Sequence, residues 1–383
     1  GESGPTVRMS LASPIETLTL NVPQVSLPPM NGTLEATGTY DPALRQLQVR
    51  TAHLVSDRLE GDANGTVTMD GVSPPVLSVA VRVSRAEVSD AANQALDNLL
   101  HSYGASHMEL SGPLSGEIAV EGNVQAPVVT AVSHVPGGSF TFSPNDARWP
   151  AVSTKIGPSE LHWTPQDGGF GARLTFADGV VSATMRSMAI SNVSGTALWD
   201  GDRLSVSPLN AEITGNPWWG TFTGNMKQRR GQLDLNGALS KIEDTPLFSA
   251  IPNTQISGAA VLNGTVSYDG NAFDVQATVH ATQTQVAYEW WYRKPAGIGA
   301  TGTVTGRIVP RSTAAIDTDL LLVESNVKSH MEMKHDGQRW VLASSRSTSD
   351  NLDIGTVGQC LSIPYKVTGG TATGAVYDWI REK

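Results

Sequence analysis

The sequence predicts an all-β protein built on a long, twisted, mainly antiparallel sheet that curls into an open trough, with a few short helices. Three observations lead to this prediction. Apolar and polar residues alternate with a period of two along most of the chain. Glycine, Asn-Gly and Asp-Gly recur between the alternating segments, as they do at hairpin turns. Related strand patterns also return along the chain, which is typical of a stacked architecture.

The alternation is strict in segments such as 77–83 and 232–236, and it gives each strand one apolar and one polar face. It favours antiparallel pairing, because parallel strands buried on both faces read as continuous apolar runs. Turns are expected at the Asn-Gly pairs that begin at residues 31, 64, 236 and 263, and at the Asp-Gly pairs that begin at residues 70, 178, 200, 269 and 336.

Three segments are predicted to be short helices. The longest covers 85–103, where Ser84 and Glu87 form a capping box ahead of an apolar stripe at helical spacing. The second covers 245–251, with proline in its first helical position, and the third covers 351–361. Each of these segments leads to a turn glycine and then to an alternating strand, and this repetition is the main internal regularity of the chain.

The length suggests two or three domains or one long repetitive body. We predict one elongated repetitive β body over 1–383, with approximate repeat units 1–130, 131–275 and 276–383, and with the chain itself as a fragment of a longer protein as an option. The alternative is two or three β-sandwich or barrel domains, in which the apolar residues form dry cores.

The net charge and the sequence motifs disfavour several classes of function. The net charge of -10 disfavours nucleic acid as a partner, because proteins that bind it collect Lys and Arg to displace counterions. The eight histidines show no metal-binding spacing, and no nucleophile elbow occurs. Gly297–Gly302 fits G-x-G-x-x-G but leads into a strand instead of a helix. We therefore predict neither enzymatic activity nor a cofactor or metal, and we expect the single cysteine, Cys360, to be a small buried apolar residue.

Three recurring sequence patterns resemble those of a known family. They consist of a short helix, then Leu-Ser-Gly at 110–112, Ile-Ser-Gly at 256–258 or Val-Thr-Gly at 367–369, then an alternating strand, and a Gly-Asn-Val-Gln-Ala-Pro strand exit lies at 122–127. In these features the chain resembles the AsmA-like and TamB-like proteins, the bacterial relatives of the bridge-like lipid transfer proteins. The resemblance implies a periplasmic protein, tethered to the inner membrane by a segment absent from this chain, whose β trough carries phospholipid between the inner and outer membranes.

The predicted groove lining consists of residues on the apolar side of alternating segments. These residues are Leu18, Leu20, Ile118, Val120, Phe140, Phe142, Leu174, Phe176, Leu233, Leu235, Val275, Ala277, Leu320 and Leu322. A sheet with one apolar face must cover that face with a second layer or a ligand, and few helices are predicted here to do so. Acyl chains of phospholipid or of another lipid are therefore the expected occupant, with membrane or outer-membrane proteins as further partners.

Two other functions stay open. The first is a secreted or surface β-rich module for glycan binding or adhesion, in which the pairs Trp218-Trp219 and Trp290-Trp291 would stack on sugars. The second, implied by the resemblance, is assistance with outer-membrane protein assembly, in which an open sheet edge templates an incoming strand. Because consecutive residues of a strand point to opposite faces, only one Trp of each pair can serve a given surface.

Overall fold

The structure is a computed structural model that describes residues 7–18, 21–22, 25–26, 30–57, 59–69, 73–87, 93, 105–144, 152–166, 169–183, 190–244, 254–288, 292–337, 340–360, 371–372 and 375–380. Nearly all of these residues lie in antiparallel strands, and the strands do not close into a barrel. The predicted all-β fold with an open antiparallel sheet is confirmed. The chain divides into two units, 1–146 with 151–181 and 194–202, and 147–150 with 182–193 and 203–383.

Unit 1 contains the strands from β1 to β14. They are β1 (Val7–Leu18), β2 (Asn21–Val22), β3 (Val25–Ser26), β4 (Met30–Asp41), β5 (Gln46–Ser56), β6 (Leu59–Thr68), β7 (Val76–Glu87), β8 (Ala105–Ser111), β9 (Pro113–Asn123), β10 (Val128–Val135), β11 (Gly138–Pro144), β12 (Val152–Ile156), β13 (Ser159–Gln166) and β14 (Gly169–Ala183). Antiparallel pairing runs in the order β1-β4-β5-β6-β7-β9-β10-β13-β14. β11 pairs with β8 on one side and β12 on the other, and β2 pairs with β3.

β15 (Ile190–Asp200) spans the boundary in sequence, and unit 2 contains the remaining elements. They are β16 (Arg203–Ile213), β17 (Asn216–Asn225), β18 (Arg230–Leu239), η1 (Ile242–Asp244), β19 (Thr254–Gly258), β20 (Ala260–Tyr268), β21 (Phe273–His280), β22 (Thr284–Tyr288), β23 (Tyr292–Lys294), β24 (Ala300–Val309), β25 (Thr313–Leu322), β26 (Ser325–His335), β27 (Trp340–Asp353), α1 (Ile354–Cys360), β28 (Thr371–Ala372) and β29 (Ala375–Ile380). Pairing runs β16-β17-β18-β20-β21-β24-β25-β26-β27-β29, while β19, β22 and β23 form a small separate sheet.

The predicted repeat boundaries do not coincide with the division between the units. The boundary between 130 and 131 falls within β10, and the boundary between 275 and 276 falls within β21. The strands at these points pair on both sides like their neighbours, so the pairing of each sheet continues without a break there.

The turn predictions hold for only part of the Asp-Gly pairs and for none of the Asn-Gly pairs. The Asp-Gly pairs at 200, 269 and 336 lie at strand ends, the pair at 178 lies inside β14, and residue 70 lies outside the described residues. All four Asn-Gly pairs lie inside strands, namely β4, β6, β18 and β20, so the prediction of turns there is wrong. The reason is steric: the glycines sit where a neighbouring strand or an aromatic ring leaves little room for a side chain.

Two glycines of unit 1 lie where the neighbouring strand leaves no room for a side chain. A Cβ placed on Gly65 would lie 2.3 Å from the carbonyl oxygen of Ser78 on the adjacent strand, and one on Gly116 would lie 2.2 Å from that of Val132. Both glycines belong to the face that carries Val79 and Val83. A side chain at either position would therefore collide with the backbone of the adjacent strand. Bulges in β4–β5, β5–β6, β6–β7 and β7–β9 pairing add local bend and twist.

The helix predictions are corrected at their boundaries. β7 continues to Glu87, and the Ser84 hydroxyl donates to the carbonyl oxygen of Glu60 on β6, so Ser84 and Glu87 are strand residues and form no capping box. Asn93 is helical, and the rest of 88–104 lies outside the described residues, as does 245–253. At the third segment β27 extends to Asp353 and the helix, α1, is confined to Ile354–Cys360.

Candidate functional site

One face of the unit 1 sheet is apolar from strand to strand. A single row of register partners crosses the sheet from β1 to β14: Leu11, Ala36, Ala52, Ala63, Val81, Ile118, Ala131, Trp163 and Ala172. Along β7 the pattern is strict, with Leu77, Val79, Val81 and Val83 partly buried and the residues between them exposed. Among the described residues of this unit, no apolar side chain is fully buried. We call this surface the apolar face of unit 1.

Unit 2 has a corresponding apolar face. Its register row from β16 to β26 is Val206, Phe222, Leu233, Val266, Val275, Gly306, Ile316 and Met331. The next row alternates large and small residues, since Leu209 and Leu235 flank Gly220, and Gly264 lies beyond Leu235. Large and small residues thus alternate across the strands on this face.

The structure places most of the predicted lining residues on these two faces. On unit 1 they are Ile118, Val120, Leu174 and Phe176, and on unit 2 they are Leu233, Leu235, Val275, Ala277, Leu320 and Leu322. Phe140 and Phe142 lie on β11, which pairs only with β8 and β12 among the described strands. Leu18 ends β1 after a register shift, and Leu20 lies outside the described residues.

At one end of its apolar face, unit 2 covers itself. Leu239, Ile242 and Ala260 are buried together, and Ala300, Leu322 and Cys360 form a second buried cluster. The small elements η1 and α1 supply Ile242 and Cys360 to these clusters. Leu322 therefore has protein, not a free surface, against it, whereas Leu320 two residues earlier is 43% exposed.

A buried lysine stabilises this covered end through hydrogen bonds to the backbone. The Lys294 ammonium donates to the carbonyl oxygens of Thr284 at 2.7 Å and Ala281 at 3.0 Å. Burial lowers the pKa of Lys294 and raises the pKa of the neighbouring Cys360 thiol, and burial followed by the Cys360 charge raises the pKa of Tyr292 to about 12. Because its ammonium group donates to backbone carbonyl oxygens, Lys294 stabilises the packing of this end. Cys360 is the small buried residue that the sequence predicts.

Toward the last strands the apolar face of unit 2 becomes polar. Thr318, Ser329 and Ser347 are register neighbours on β25, β26 and β27, and the two serine hydroxyls lie 2.8 Å apart in a hydrogen bond. Sequence reasoning missed this patch because serine and threonine at these positions read as part of a polar strand face. The register alone shows that they continue the row of Leu235 and Val304.

The tryptophan pair on β17 divides between the two faces. Trp218 is partly buried on the apolar face, opposite Gly237, and its indole Nε1 has no hydrogen-bond partner among the described residues. Trp219 lies on the polar face and is 44% exposed. Trp290 and Trp291 lie outside the described residues.

The polar face of unit 2 carries charged cross-strand pairs. Arg307 contacts Asp269 at 2.6 Å and Asp274 at 2.7 Å, and His330 contacts Asp317 at 2.7 Å. The Asp269 carboxylate also accepts the backbone N–H groups of Ala272 and Asn271, and these bonds, with Arg307, hold its pKa well below its usual range. Asp269 therefore fixes the turn between β20 and β21 in its ionised form.

Because of the Asp269 carboxylate, the stability of the fold depends on pH in the acid range. Since the pKa of Asp269 is lower in the folded chain than its ordinary value of 3.8, its stabilisation is present above that value and is lost as the pH falls below it. We expect Asp269→Asn to flatten the fall of melting temperature between about pH 5 and about pH 2. Arg307→Gln should retain most of the fall, because the Ala272 N–H is the largest cause of the lowered pKa. Thermal melts of the three proteins across this range test the expectation, and identical profiles would contradict it.

Other kinds of site are not found in the described part of the chain. No group of three or more His, Cys, Asp or Glu side chains there is arranged to hold a metal ion. In those same residues no helix has the length and apolar character that a membrane crossing requires.

Comparison with known proteins adds no relative. No family model, curated protein or solved structure matches the chain. The functional assignment therefore depends on the two apolar faces and on the residues that build them.

Proposed function

We propose that this protein is a non-enzymatic lipid carrier that holds the acyl chains of phospholipid against the apolar faces of its sheets, in the periplasm between the inner and outer membranes. The observation that carries the proposal is the apolar face of unit 1. The nine strands that its register row crosses contribute apolar side chains to one surface, yet none of those side chains is fully buried. Large apolar surfaces are seldom left in water, so this face calls for a covering molecule.

The chemistry of the faces favours hydrocarbon as that molecule. The register rows consist mainly of Val, Leu, Ile, Ala and Gly, and aromatic residues make up only 6% of the chain. Such a lining offers dispersion contacts to a flexible chain and few directional hydrogen bonds. Each methylene group removed from water contributes about 0.8 kcal/mol, so an acyl chain gains affinity in proportion to its length on the face.

The open side of the trough suits the polar part of a phospholipid. Because the strands do not close into a barrel, the head group can remain in water while the acyl chain lies on the sheet. No energy-coupling site is part of the proposal, so net movement of lipid would follow from partners or from differences in lipid content between membranes.

A matched pair of double variants tests the proposal. Val129 and Leu320 lie on the apolar faces and are 44% and 43% exposed, while the adjacent Val128 and Leu321 lie on the opposite faces and are 49% and 46% exposed. Since all four side chains already meet solvent, we expect all four aspartate substitutions to leave the fold intact. We expect Val129→Asp with Leu320→Asp to reduce bound phospholipid severalfold, because a carboxylate desolvated by hydrocarbon costs several kcal/mol.

Bound phospholipid is measured by mass spectrometry of organic extracts and by titration with the fluorescent fatty acid parinaric acid. The control, Val128→Asp with Leu321→Asp, carries the same change of charge and should keep the wild-type lipid content. Equal losses in both variants would contradict the assignment of the apolar faces, and a wild-type protein that neither copurifies with lipid nor binds parinaric acid would contradict the function itself.

A further inference from the structure

The polar face of unit 2 carries an uncharged row of residues that includes an exposed tryptophan. Register partners across β16, β17, β18, β20, β21 and β24 align Asn210, Trp219, Asn236, Asn263, Thr278 and Thr303. We call this the tryptophan row. It crosses the strands at right angles to their direction and stands on the side of the sheet opposite the apolar face.

The amide and hydroxyl groups of this row are not used by the fold. In the described part of the chain, the side chains of the row's asparagine and threonine residues have no hydrogen-bond partner, whereas Arg307 on the same face is paired with Asp274. Asn210, Asn263 and Thr303 are also exposed. Amides present both donors and acceptors, so the row offers a series of mixed hydrogen-bonding groups spaced by one strand, roughly 4.8 Å, each.

Two depressions lie beside the row on the same face. One, of about 390 Å³, is lined by Thr265, Gln276 and Thr305 together with the charged pair Asp274 and Arg307. The other, of about 380 Å³, is lined by Thr303 and Thr305 together with charged residues that include Asp317, Asp319, Lys328 and Arg346. They share Thr305 and Asp317, so together they extend the surface from β20 to β27. These depressions carry charged side chains, whereas the row itself carries none, so a ligand that lies along the row would be polar and uncharged.

We infer that the tryptophan row binds an uncharged oligosaccharide that lies across the strands. A pyranose ring has an apolar face of C–H groups, which stacks on an indole, and hydroxyl groups that both donate and accept. Trp219 supplies the platform, Asn210 and Asn236 flank it, and Asn263, Thr278 and Thr303 meet the following sugar units. A polyanion fits less well, since the chain has a net charge of -10. This surface goes beyond the proposed lipid site and does not depend on it.

The test uses cellohexaose and chitohexaose as probes of the whole chain, by isothermal titration calorimetry and by the fluorescence of its tryptophans. We expect at least one probe to bind, and we expect Trp219→Ala to weaken its binding about tenfold or more, as for a central aromatic contact. Asn263→Ala should weaken binding about threefold, the loss expected for one net hydrogen bond.

Leu321→Ala is the control, because Leu321 is similarly exposed on the same face but lies outside the row, and it should change the affinity less than twofold. The inference is overturned if neither hexasaccharide binds at millimolar concentration, or if binding persists unchanged in Trp219→Ala. Phospholipid content, measured on the same preparations, should be equal in all of these variants. The outcome of the saccharide test is therefore independent of the outcome of the lipid test.

Discussion

Gly220→Ala is expected to lower the free energy of unfolding by about 2–4 kcal/mol. Gly220 lies on the apolar face of unit 2, where a Cβ would stand only 1.9 Å from the carbonyl oxygen of Asp234 and 3.2 Å from the Cα of Leu235. Both contacts are with backbone, so no side-chain rotation relieves them, and β17 and β18 must move apart. The loss is measured by urea denaturation followed by fluorescence.

Gly302→Ala is the matched control for this prediction. Gly302 lies on the same face of the same sheet, but its nearest neighbour to a new Cβ is the Cδ1 of Leu320 at 3.9 Å, an ordinary contact. An alanine there should be neutral or should stabilise by up to about 1 kcal/mol, because it restricts the unfolded chain. Equal destabilisation by both alanines would mean that the cost comes from strand glycines in general and not from the close approach at Gly220.

These glycines also explain where sequence reasoning failed. An Asn-Gly pair between alternating segments is the usual signature of a two-residue hairpin, and Asn64-Gly65 was predicted to be one. The same dipeptide serves a strand equally well when the asparagine faces water and the glycine must admit a neighbouring backbone. Only the register of β6 and β7, which is set by contacts remote in sequence, distinguishes the two cases.

The apolar faces were predictable because they depend on a pattern that is local. Ile118 and Val120, or Leu233 and Leu235, are two residues apart in alternating strands, and a period of two suffices to place each pair on one side. The extent to which a face is covered depends instead on distant segments. Leu320 and Leu322 read alike in sequence, but only Leu322 is covered, because Cys360 of α1 folds back against it.

The polar patch of Thr318, Ser329 and Ser347 is a second feature that depends on the pairing of distant strands. Each of these residues reads as part of an exposed strand face, and their common position appears only when the pairing of β24 to β27 is known. Within the proposed function, this patch marks where an acyl chain on unit 2 would meet hydroxyl groups. In the row of Leu235 and Val304, the apolar track is therefore expected to extend from β16 to β24 and to end there.

Trp218→Ala and Gly237→Ala are expected to be strongly coupled. The Trp218 ring covers Gly237 on the next strand and packs against the cluster of Leu239, Ile242 and Ala260, so its removal should cost about 3 kcal/mol. A Cβ on Gly237 would lie 2.8 Å from Cε3 of the ring, so Gly237→Ala alone should cost about 1–3 kcal/mol.

The sign of the second effect is expected to reverse in the double variant. With the ring removed, an alanine at position 237 meets no obstacle from Trp218 and covers part of the bared strand, and it should restore stability instead of reducing it. A double-mutant cycle by urea denaturation measures the coupling, which should be about 1–3 kcal/mol. If the two losses simply add, the ring does not lie over Gly237. In that case the pairing of an aromatic ring with a glycine would not shape this part of the apolar face.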